Sequence, residues 1–179
     1  MAAILGLEAD AVEEICAKAA QGEVVSPANF NSPWQSVIAG HAGAVSRAVE
    51  YAMEQDAKTA VMLAVSAPFH CSLMKPAAER LDEALKDIPV SDLTTPVISN
   101  ADAAPYPSKD EIKHLLVKQV DHPVRWDESM REVAKRKIAA VIEIGPGKVL
   151  TGLMRRITKE VKTANLENPG DLQGLEQFK

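Results

Sequence analysis

The first 65 residues of this 179-residue chain alternate strand-like and helix-like patterns in an order that few folds accommodate. Apolar segments typical of strands occupy 2–7, 23–31, 35–41 and 59–65, and the last is expected to be buried. Between them, apolar residues recur at helical spacing in two stripes: Val12, Ile15, Cys16 and Ala19, then Val45, Ala48, Val49 and Ala52. The order β-α-β-β-α-β predicts a ferredoxin-like subdomain over residues 1–65.

In residues 66–167, predicted helices and strands alternate in a pattern typical of parallel strands covered by helices. Strands are predicted at 95–100, 139–145 and 161–166. The helix between the last two is expected to turn four apolar residues inward: Val149, Leu150, Leu153 and Ile157. About three strands are few for an α/β layer, so we expect some strands of its sheet to be missing. The polar tail 168–179 is expected to be loosely held.

Charge and cysteine content exclude several classes of function. The net charge is −5 without long runs, whereas phosphate binding needs a basic face, so nucleic acid is not an expected partner. No apolar run approaches the ~18 residues of a membrane span, so no membrane partner is expected. The two cysteines lack metal-ligand spacing and fit a reducing compartment. We therefore expect a cytoplasmic protein without a metal site.

A basic cluster near the end of the chain admits two interpretations. Its members are Lys148, Arg155, Arg156 and Lys159. They either meet an acidic partner or form the solvated face of a helix.

The segment SAPFHCSLMKP places His70 between a predicted strand and a predicted helix. Strand ends in open α/β sheets are where sites form, and a neutral histidine there can act as a general base. Spacing alone leaves open a histidine that merely caps or packs.

Four segments carry a resemblance to a known family: VSAPFHCSLMKPAAERL, IEIGPGKVLTGLMRRI, VKQVDHPVRW, and SPANFNSP followed by VIAGH. These segments occur along the chain in the family's order, over about residues 2–167, and together they closely resemble the malonyl-CoA:acyl-carrier-protein transacylase family. The resemblance implies an α/β-hydrolase-like core with an inserted ferredoxin-like subdomain. Residues 66–167 are then expected to be the C-terminal part of that core.

The resemblance also implies roles for individual residues. His70 matches the family's catalytic base, and Gln119 matches the residue whose main-chain carbonyl orients that base through Nδ1. Asn29 and Asn31 match polar residues that line the cleft between the subdomains, although turn chemistry explains them equally well.

The family's nucleophile, a serine in a Gly-His-Ser-x-Gly elbow, has no counterpart in this sequence. The nearest segment, GHAGA, has Ala42 at that position and matches the inserted subdomain instead. Cys71 and Ser72 follow His70 directly, but adjacent side chains at a strand exit usually point apart. We therefore expect a C-terminal portion of such an enzyme, inactive alone because it carries a base without a nucleophile.

Two functions from different classes follow. In the first, the chain belongs to an acyltransferase that moves malonyl from coenzyme A to acyl carrier protein in fatty-acid biosynthesis, by a ping-pong Ser/His mechanism without a cofactor. Carrier proteins are acidic, so Lys148, Arg155 and Arg156 are candidate contacts. In the second, the chain is a non-catalytic module that binds carrier protein or another protein.

Two further expectations concern the surface. A partial sheet exposes apolar edges and faces, so we expect self-association. Trp34 departs from the family, which usually has a small or polar residue at that position, and its side chain is either exposed or covers surface left bare by the missing part of the fold.

Overall fold

Residues 1–178 are described by a computed structural model. The N-terminal region of the chain contains β1 Ala2–Leu5, α1 Ala9–Ala20, β2 Val25–Ser32, β3 Gln35–Gly40, α2 Ala42–Glu54 and β4 Thr59–Met62. Its strands form a four-stranded antiparallel sheet in the order β2-β3-β1-β4. The two helices, α1 and α2, follow β1 and β3 in the chain.

The core of the N-terminal region lies between the sheet and the two helices. Both predicted helical stripes face it, and α1 buries Val12, Ile15, Cys16 and Ala19 as expected. Gly40 is required where β3 ends, because a Cβ there would lie 2.1 Å from the main-chain oxygen of Val24. The order of elements in this region is therefore the one that the apolar patterns predict.

The prediction of a buried strand over 59–65 is wrong in length and in burial. β4 ends at Met62, and both Val61 and Met62 are exposed. β4 is an edge strand with one neighbour, β1, so most of its side chains find no cover on the free side. Only Ala60 packs against the core.

The C-terminal region of the chain is built mainly of helices with two small sheets. Its elements are α3 Lys75–Leu85, β5 Ile98–Ser99, β6 Ala104–Pro105, α4 Ile112–Asp121, α5 Trp126–Lys135, β7 Ala140–Ile144, α6 Val149–Ile157 and β8 Lys162–Leu166. Segments of 3₁₀ helix occupy Ser72–Met74, Lys109–Glu111 and Pro169–Phe178. β7 and β8 pair in parallel, from Ala140 with Lys162 to Ile144 with Leu166. The predicted strand at 95–100 does not join them, because its residues in β5 form a two-residue antiparallel pair with β6.

The inward face predicted for α6 is half wrong. Leu153 is buried, but Val149 is 71% exposed and Leu150 is also exposed. The helix begins at Val149, so these two residues form its first turn, beyond the cluster of Met130, Met154 and Val161 that covers the rest.

The two regions are joined through the edge strand β2. The amide of Phe30 donates to the carbonyl of Val124 at 2.9 Å, and the amide of Val124 donates to the carbonyl of Ala28 at 2.8 Å. The loop between α4 and α5 is thereby held against the first sheet as a short parallel bridge.

Candidate functional site

His70 lies between β4 and the 3₁₀ turn that leads into α3. Its φ is +60°, in the left-handed region that residues with a Cβ seldom adopt. Such strain persists only where the surroundings fix the conformation, and it clusters at functional sites. The half-buried imidazole of His70 is therefore carried on a backbone conformation that its surroundings must hold in place.

The imidazole is held by the last turn of α4. His70 Nδ1 lies 2.8 Å from the main-chain oxygen of Gln119, across 49 residues of sequence. A carbonyl only accepts hydrogen bonds, so Nδ1 carries the proton and donates it. In the neutral ring Nε2 is then the unprotonated nitrogen, the one able to take a proton.

The carbonyl of Gln119 is available because of the residue four positions later. In a continuing helix that carbonyl would accept from the amide of residue 123, but Pro123 has no amide hydrogen. The helix ends at Asp121, and the orphaned carbonyl turns to His70 instead. The dipeptide His122–Pro123 was therefore a signal in the sequence for a free acceptor at Gln119.

The side chain of Gln119 reaches the same place. Its Nε2 lies 3.3 Å from His70 Nδ1 and donates to the carbonyl of His122 at 3.4 Å. Its Oε1 is buried without a hydrogen-bond partner among the described residues. Because Nδ1 already carries the proton that it donates to the main-chain carbonyl, Gln119 Nε2 is a neighbour of Nδ1 and not a second hydrogen-bond partner.

Neither cysteine is an activated nucleophile. Cys71 is buried and donates from Sγ to the carbonyl of Pro68 at 3.1 Å, and burial raises the pKa of its thiol. Burial raises the pKa of Cys16 in α1 to about 12. A thiol reacts as its thiolate, so both are poor nucleophiles near neutral pH. Ser72 is exposed at the start of the 3₁₀ turn.

The other predicted site residues are only partly brought together. Asn29 and Asn31 lie half-buried in β2, and Asn29 forms the parallel bridge with Val124, five residues beyond Gln119. No hydrogen bond from either side chain to His70 is present in the described residues. Because they lie on β2, both asparagines are near the loop between α4 and α5, which follows Gln119.

The predicted basic cluster divides between the two ends of α6. Lys148 immediately precedes the helix, whereas Arg155 and Arg156 lie exposed in its last turn, about 10 Å away along the axis. Arg155 Nε donates to Thr163 Oγ1 at 2.9 Å, and Arg156 Nη1 donates to Gln35 Oε1 at 2.6 Å. Within residues 1–174, whose side chains the structure describes, neither arginine forms an ion pair.

The turn between β7 and α6 is organised by Glu143, which the sequence patterns did not single out. Its carboxylate accepts from the amides of Leu150 at 3.0 Å and Thr151 at 2.7 Å, and from Asn165 Nδ2 at 3.0 Å. Burial alone would raise the pKa of Glu143, but these hydrogen bonds outweigh it and the pKa is lowered. A lone acidic residue inside the apolar strand VIEIG was the available signal.

Gly145 and Gly147 serve this turn through conformation. Their φ values are +128° and +88°, and a Cβ at either would meet no atom within 4 Å. Close approach of the backbone is therefore not what requires these glycines; they are needed because the turn takes positive φ.

Two further kinds of site are absent from the described residues. No three His, Cys, Asp or Glu side chains come together there to hold a metal ion. None of the helices described is both long and apolar enough to cross a membrane.

Comparison with known proteins defines the class to which this fold and site belong. Residues 2–169 match the acyl transferase domain family, and the chain belongs to that family. The family resemblance inferred from the four segments is thereby confirmed.

More specific similarity is to transacylases. The chain is 43% identical over 178 residues to the malonyl CoA-acyl carrier protein transacylase of Haemophilus influenzae, covering 99% of this chain and 57% of that protein. The solved acyl carrier protein S-malonyltransferase of Vibrio cholerae superposes with a TM-score of 0.95 at 45% identity, covering 97% of this chain and 57% of that one. A malonyl-transacylase solved in complex with a type II PKS acyl-carrier protein superposes with a TM-score of 0.96 at 40% identity, covering 99% and 58%. The chain thus spans somewhat more than half the length of these relatives.

Proposed function

We propose that this chain supplies the general base of an acyltransferase that moves malonyl from coenzyme A to acyl carrier protein. The observation that carries the proposal is the contact of His70 Nδ1 with the main-chain oxygen of Gln119 at 2.8 Å. It leaves Nε2 free to accept a proton, which is what a histidine paired with a nucleophile must do. The names of the relatives support the choice of malonyl and carrier protein.

The reaction proceeds in two balanced halves. His70 Nε2 takes the proton of a serine hydroxyl as the oxygen attacks the thioester carbon of malonyl-CoA, and the C–S bond breaks. The departing coenzyme A thiolate takes that proton from Nε2. In the second half the carrier-protein thiol gives its proton to Nε2, attacks the seryl ester and releases the serine, which recovers the proton. No metal, redox group or other cofactor enters either half.

The serine comes from outside these 179 residues, because their sequence contains no Gly-His-Ser-x-Gly segment. The buried Cys71 thiol, whose pKa is raised, does not replace it. The chain alone is accordingly inactive in this proposal, which assigns the serine to the portion of the relatives that the chain does not match. The chain covers 57% of the Haemophilus influenzae protein.

The architecture we propose follows the same division. Residues 1–65 are a ferredoxin-like subdomain, supported by the antiparallel order β2-β3-β1-β4 and the two intervening helices. Residues 66–167 are the C-terminal part of an α/β-hydrolase-like core, supported by the parallel pair β7–β8. Residues 168–179 are a tail whose looseness stays a prediction, and residue 179 lies outside the described residues.

The remaining site residues receive roles by position. Asn29 and Asn31 line the cleft between the two regions, on the strand that bridges to Val124. Arg155 and Arg156 are exposed without an ion pair among residues 1–174 and face the acidic carrier protein. Lys148 joins them only if the carrier protein spans the length of α6. The reaction is placed in the cytoplasm, where fatty-acid synthesis would use it.

The test combines this chain with the portion of the Haemophilus influenzae transacylase outside the match. Malonyl transfer to acyl carrier protein, followed by intact mass, is expected only when both segments are present. His70→Asn should lower the rate by about 10²–10⁴-fold, the usual contribution of a general base. His114→Asn, at an exposed position on α4, is the matched control and should have no effect. A His70→Asn mixture with full activity would refute the role of His70.

A second measurement needs no partner segment. In the ¹⁵N NMR spectrum of the chain alone, His70 should populate the Nδ1–H tautomer, because Nδ1 donates to the Gln119 carbonyl. The Nε2–H tautomer would contradict the proposed base.

The alternative function is a non-catalytic module that binds carrier protein. Its one supporting observation is the exposure of Arg155 and Arg156. Intact mass after incubating the chain with malonyl-CoA bears on both proposals. A malonyl adduct lost in Cys71→Ala or Ser72→Ala would show that the chain has its own nucleophile and would overturn the inactive half-site and the module alike.

A further inference from the structure

Trp34 occupies the turn between β2 and β3 and is 56% exposed. A side chain of this size usually buries most of its surface, so such exposure is costly in water. The turn itself is well held: the carbonyl of Trp34 accepts from the amide of Gly6 at 2.8 Å, and Gln35 pairs with Leu5 in the sheet. Trp34 is therefore presented to solvent on a rigid support rather than on a loose loop.

The neighbours of this turn are the arginines of α6. Gln35, which directly follows Trp34, accepts from Arg156 Nη1 at 2.6 Å. Arg155, the preceding residue of the helix, is fixed by its bond to Thr163. The turn that carries Trp34 therefore lies beside the last turn of α6, and we call Trp34, Arg155 and Arg156 together the Trp34–Arg surface.

This surface has the composition of a protein-binding hot spot. Trp and Arg are the residue types enriched where truncation costs most affinity. Both guanidinium groups keep their charge unpaired by any carboxylate among the described residues and so favour an acidic partner. A single indole flanked by Pro33 and the polar Gln35 is too small an apolar area for insertion into a lipid surface.

We propose that Trp34 is an apolar anchor for acyl carrier protein, packed against it while Arg155 and Arg156 pair with its carboxylates. The inference rests on the proposed function, in which carrier protein is the acyl acceptor. It goes beyond that function because Trp34 stands where the resembled family has a small or polar residue. This chain then holds its carrier protein by one contact more than the arginines alone provide.

The test uses the fluorescence of Trp34. The chain has two tryptophans, so Trp126→Phe leaves Trp34 as the sole indole. The variant is titrated with a tryptophan-free acyl carrier protein at low and at high salt. A saturable blue shift of the emission that weakens with salt is expected, because the indole leaves water and the ion pairs are screened.

Affinity is then compared among variants with Trp126 retained. Trp34→Gly should weaken carrier binding about tenfold, and Trp34→Phe by less because it keeps an aromatic ring. Ile88→Ala is the matched control: Ile88 is 51% exposed, follows α3 and should not change the affinity. Circular dichroism of each variant verifies that the turn substitutions leave the sheet intact.

The outcomes separate the inference from the proposed function. Carrier binding that leaves the Trp34 emission and the Trp34→Gly affinity unchanged overturns the anchor and leaves the proposed function standing. A blue shift of the Trp34 emission that appears without carrier protein, as the concentration of the chain rises, also overturns the anchor. The Trp34–Arg surface then binds a second copy of the chain. Failure of the unaltered chain to bind carrier protein at all counts against both.

Discussion

The N-terminal and C-terminal regions of this molecule bury their apolar residues to very different extents. In the N-terminal region a continuous cluster runs from Ala2 to Ala57, and Ile4, Ile15 and Ile38 within it are fully buried. In the C-terminal region the corresponding cluster consists of Met130, Met154 and Val161 with half-buried neighbours. There, on the two-stranded sheet, Ile142 is exposed and Ile144 is 77% exposed.

This difference in burial indicates which region of the molecule holds the candidate site in position. A four-stranded sheet covered by two helices can be stable by itself, whereas a two-stranded sheet is marginal. The strained backbone of His70 and the end of α4 both lie in the C-terminal region, yet the loop after Gln119 is pinned to β2 of the N-terminal region. The site therefore depends on the firm sheet for its position.

The largest expected effect tests this contrast with the same substitution made in each region. Ile38→Ala in β3 should lower the free energy of unfolding by about 2–5 kcal/mol, because it opens a cavity in the continuous cluster. Ile144→Ala in β7 should change it by less than about 0.5 kcal/mol, because that side chain is already in water. Urea unfolding measures both, and comparable losses at the two positions would abolish the distinction.

The second effect compares two arginines. Arg47 donates to the carbonyls of Ala19 and Ala20 at 2.9 and 3.1 Å and pairs with Glu23, so it closes the end of α1. Arg47→Met should cost about 2 kcal/mol, the scale of charge-assisted hydrogen bonds to partly buried groups.

The matched control is Arg136→Met. Among the side chains that the structure describes, Arg136 pairs only with Glu132, across one helical turn on the surface, and such pairs contribute about 0.3–0.5 kcal/mol. If Arg136→Met destabilised the chain as much as Arg47→Met, the C-terminal region would be better ordered than its burial suggests.

The amount of structure that the sequence could predict follows the same division. The stripes of α1 and α2 repeat every three or four residues, so the order of the first six elements was readable. The exposure of Val61 or Ile144 was not, because it depends on what lies beside a strand, which periodicity does not report. β5 was predicted as a strand, but its pairing with β6 instead of β7 rests on contacts that periodicity does not encode.

The site was predictable to a smaller extent. The pairing of His70 with Gln119 spans 49 residues and came only from the family resemblance. Pro123 in the sequence marks the free carbonyl but does not say which group will use it. Glu143 was missed because a carboxylate in a strand has many possible partners, and its three donors come from α6 and β8.

A third effect concerns association. The exposed apolar side chains of β7 should draw chains together, and Ile144→Lys should shift the population toward monomer by placing a charge on that strand. Multi-angle light scattering over a range of concentrations measures the shift. Met53→Lys, at a comparably exposed position on α2 of the N-terminal region, should leave association unchanged. A wild-type chain that is monomeric throughout would refute self-association through β7.

The smallest expected effect is the pH dependence of stability that comes from one carboxylate of the C-terminal region, Glu143. The hydrogen bonds to Glu143 lower its pKa below the ordinary value of 4.5, so their stabilising contribution is present at neutral pH. It is lost as the pH falls through the lowered pKa and the group gains a proton. The difference in free energy of unfolding between wild type and Glu143→Gln should therefore shrink below about pH 4.5, while at neutral pH it stays near 1 kcal/mol, the scale of a helix cap.

Because α6 carries Arg155 and Arg156 at its other end, this carboxylate also bears on the Trp34–Arg surface. If Glu143 only caps the helix, Glu143→Gln should leave carrier-protein affinity within twofold while it removes the acid-dependent component of stability. Urea unfolding between pH 3 and pH 7 measures the acid-dependent component of stability, with Glu160→Gln on the exposed surface as control. The carrier-protein titration measures the affinity. If the difference in free energy of unfolding between wild type and Glu143→Gln grew as the pH fell, the ionised Glu143 would be destabilising. Burial, and not the hydrogen bonds, would then dominate the pKa of Glu143.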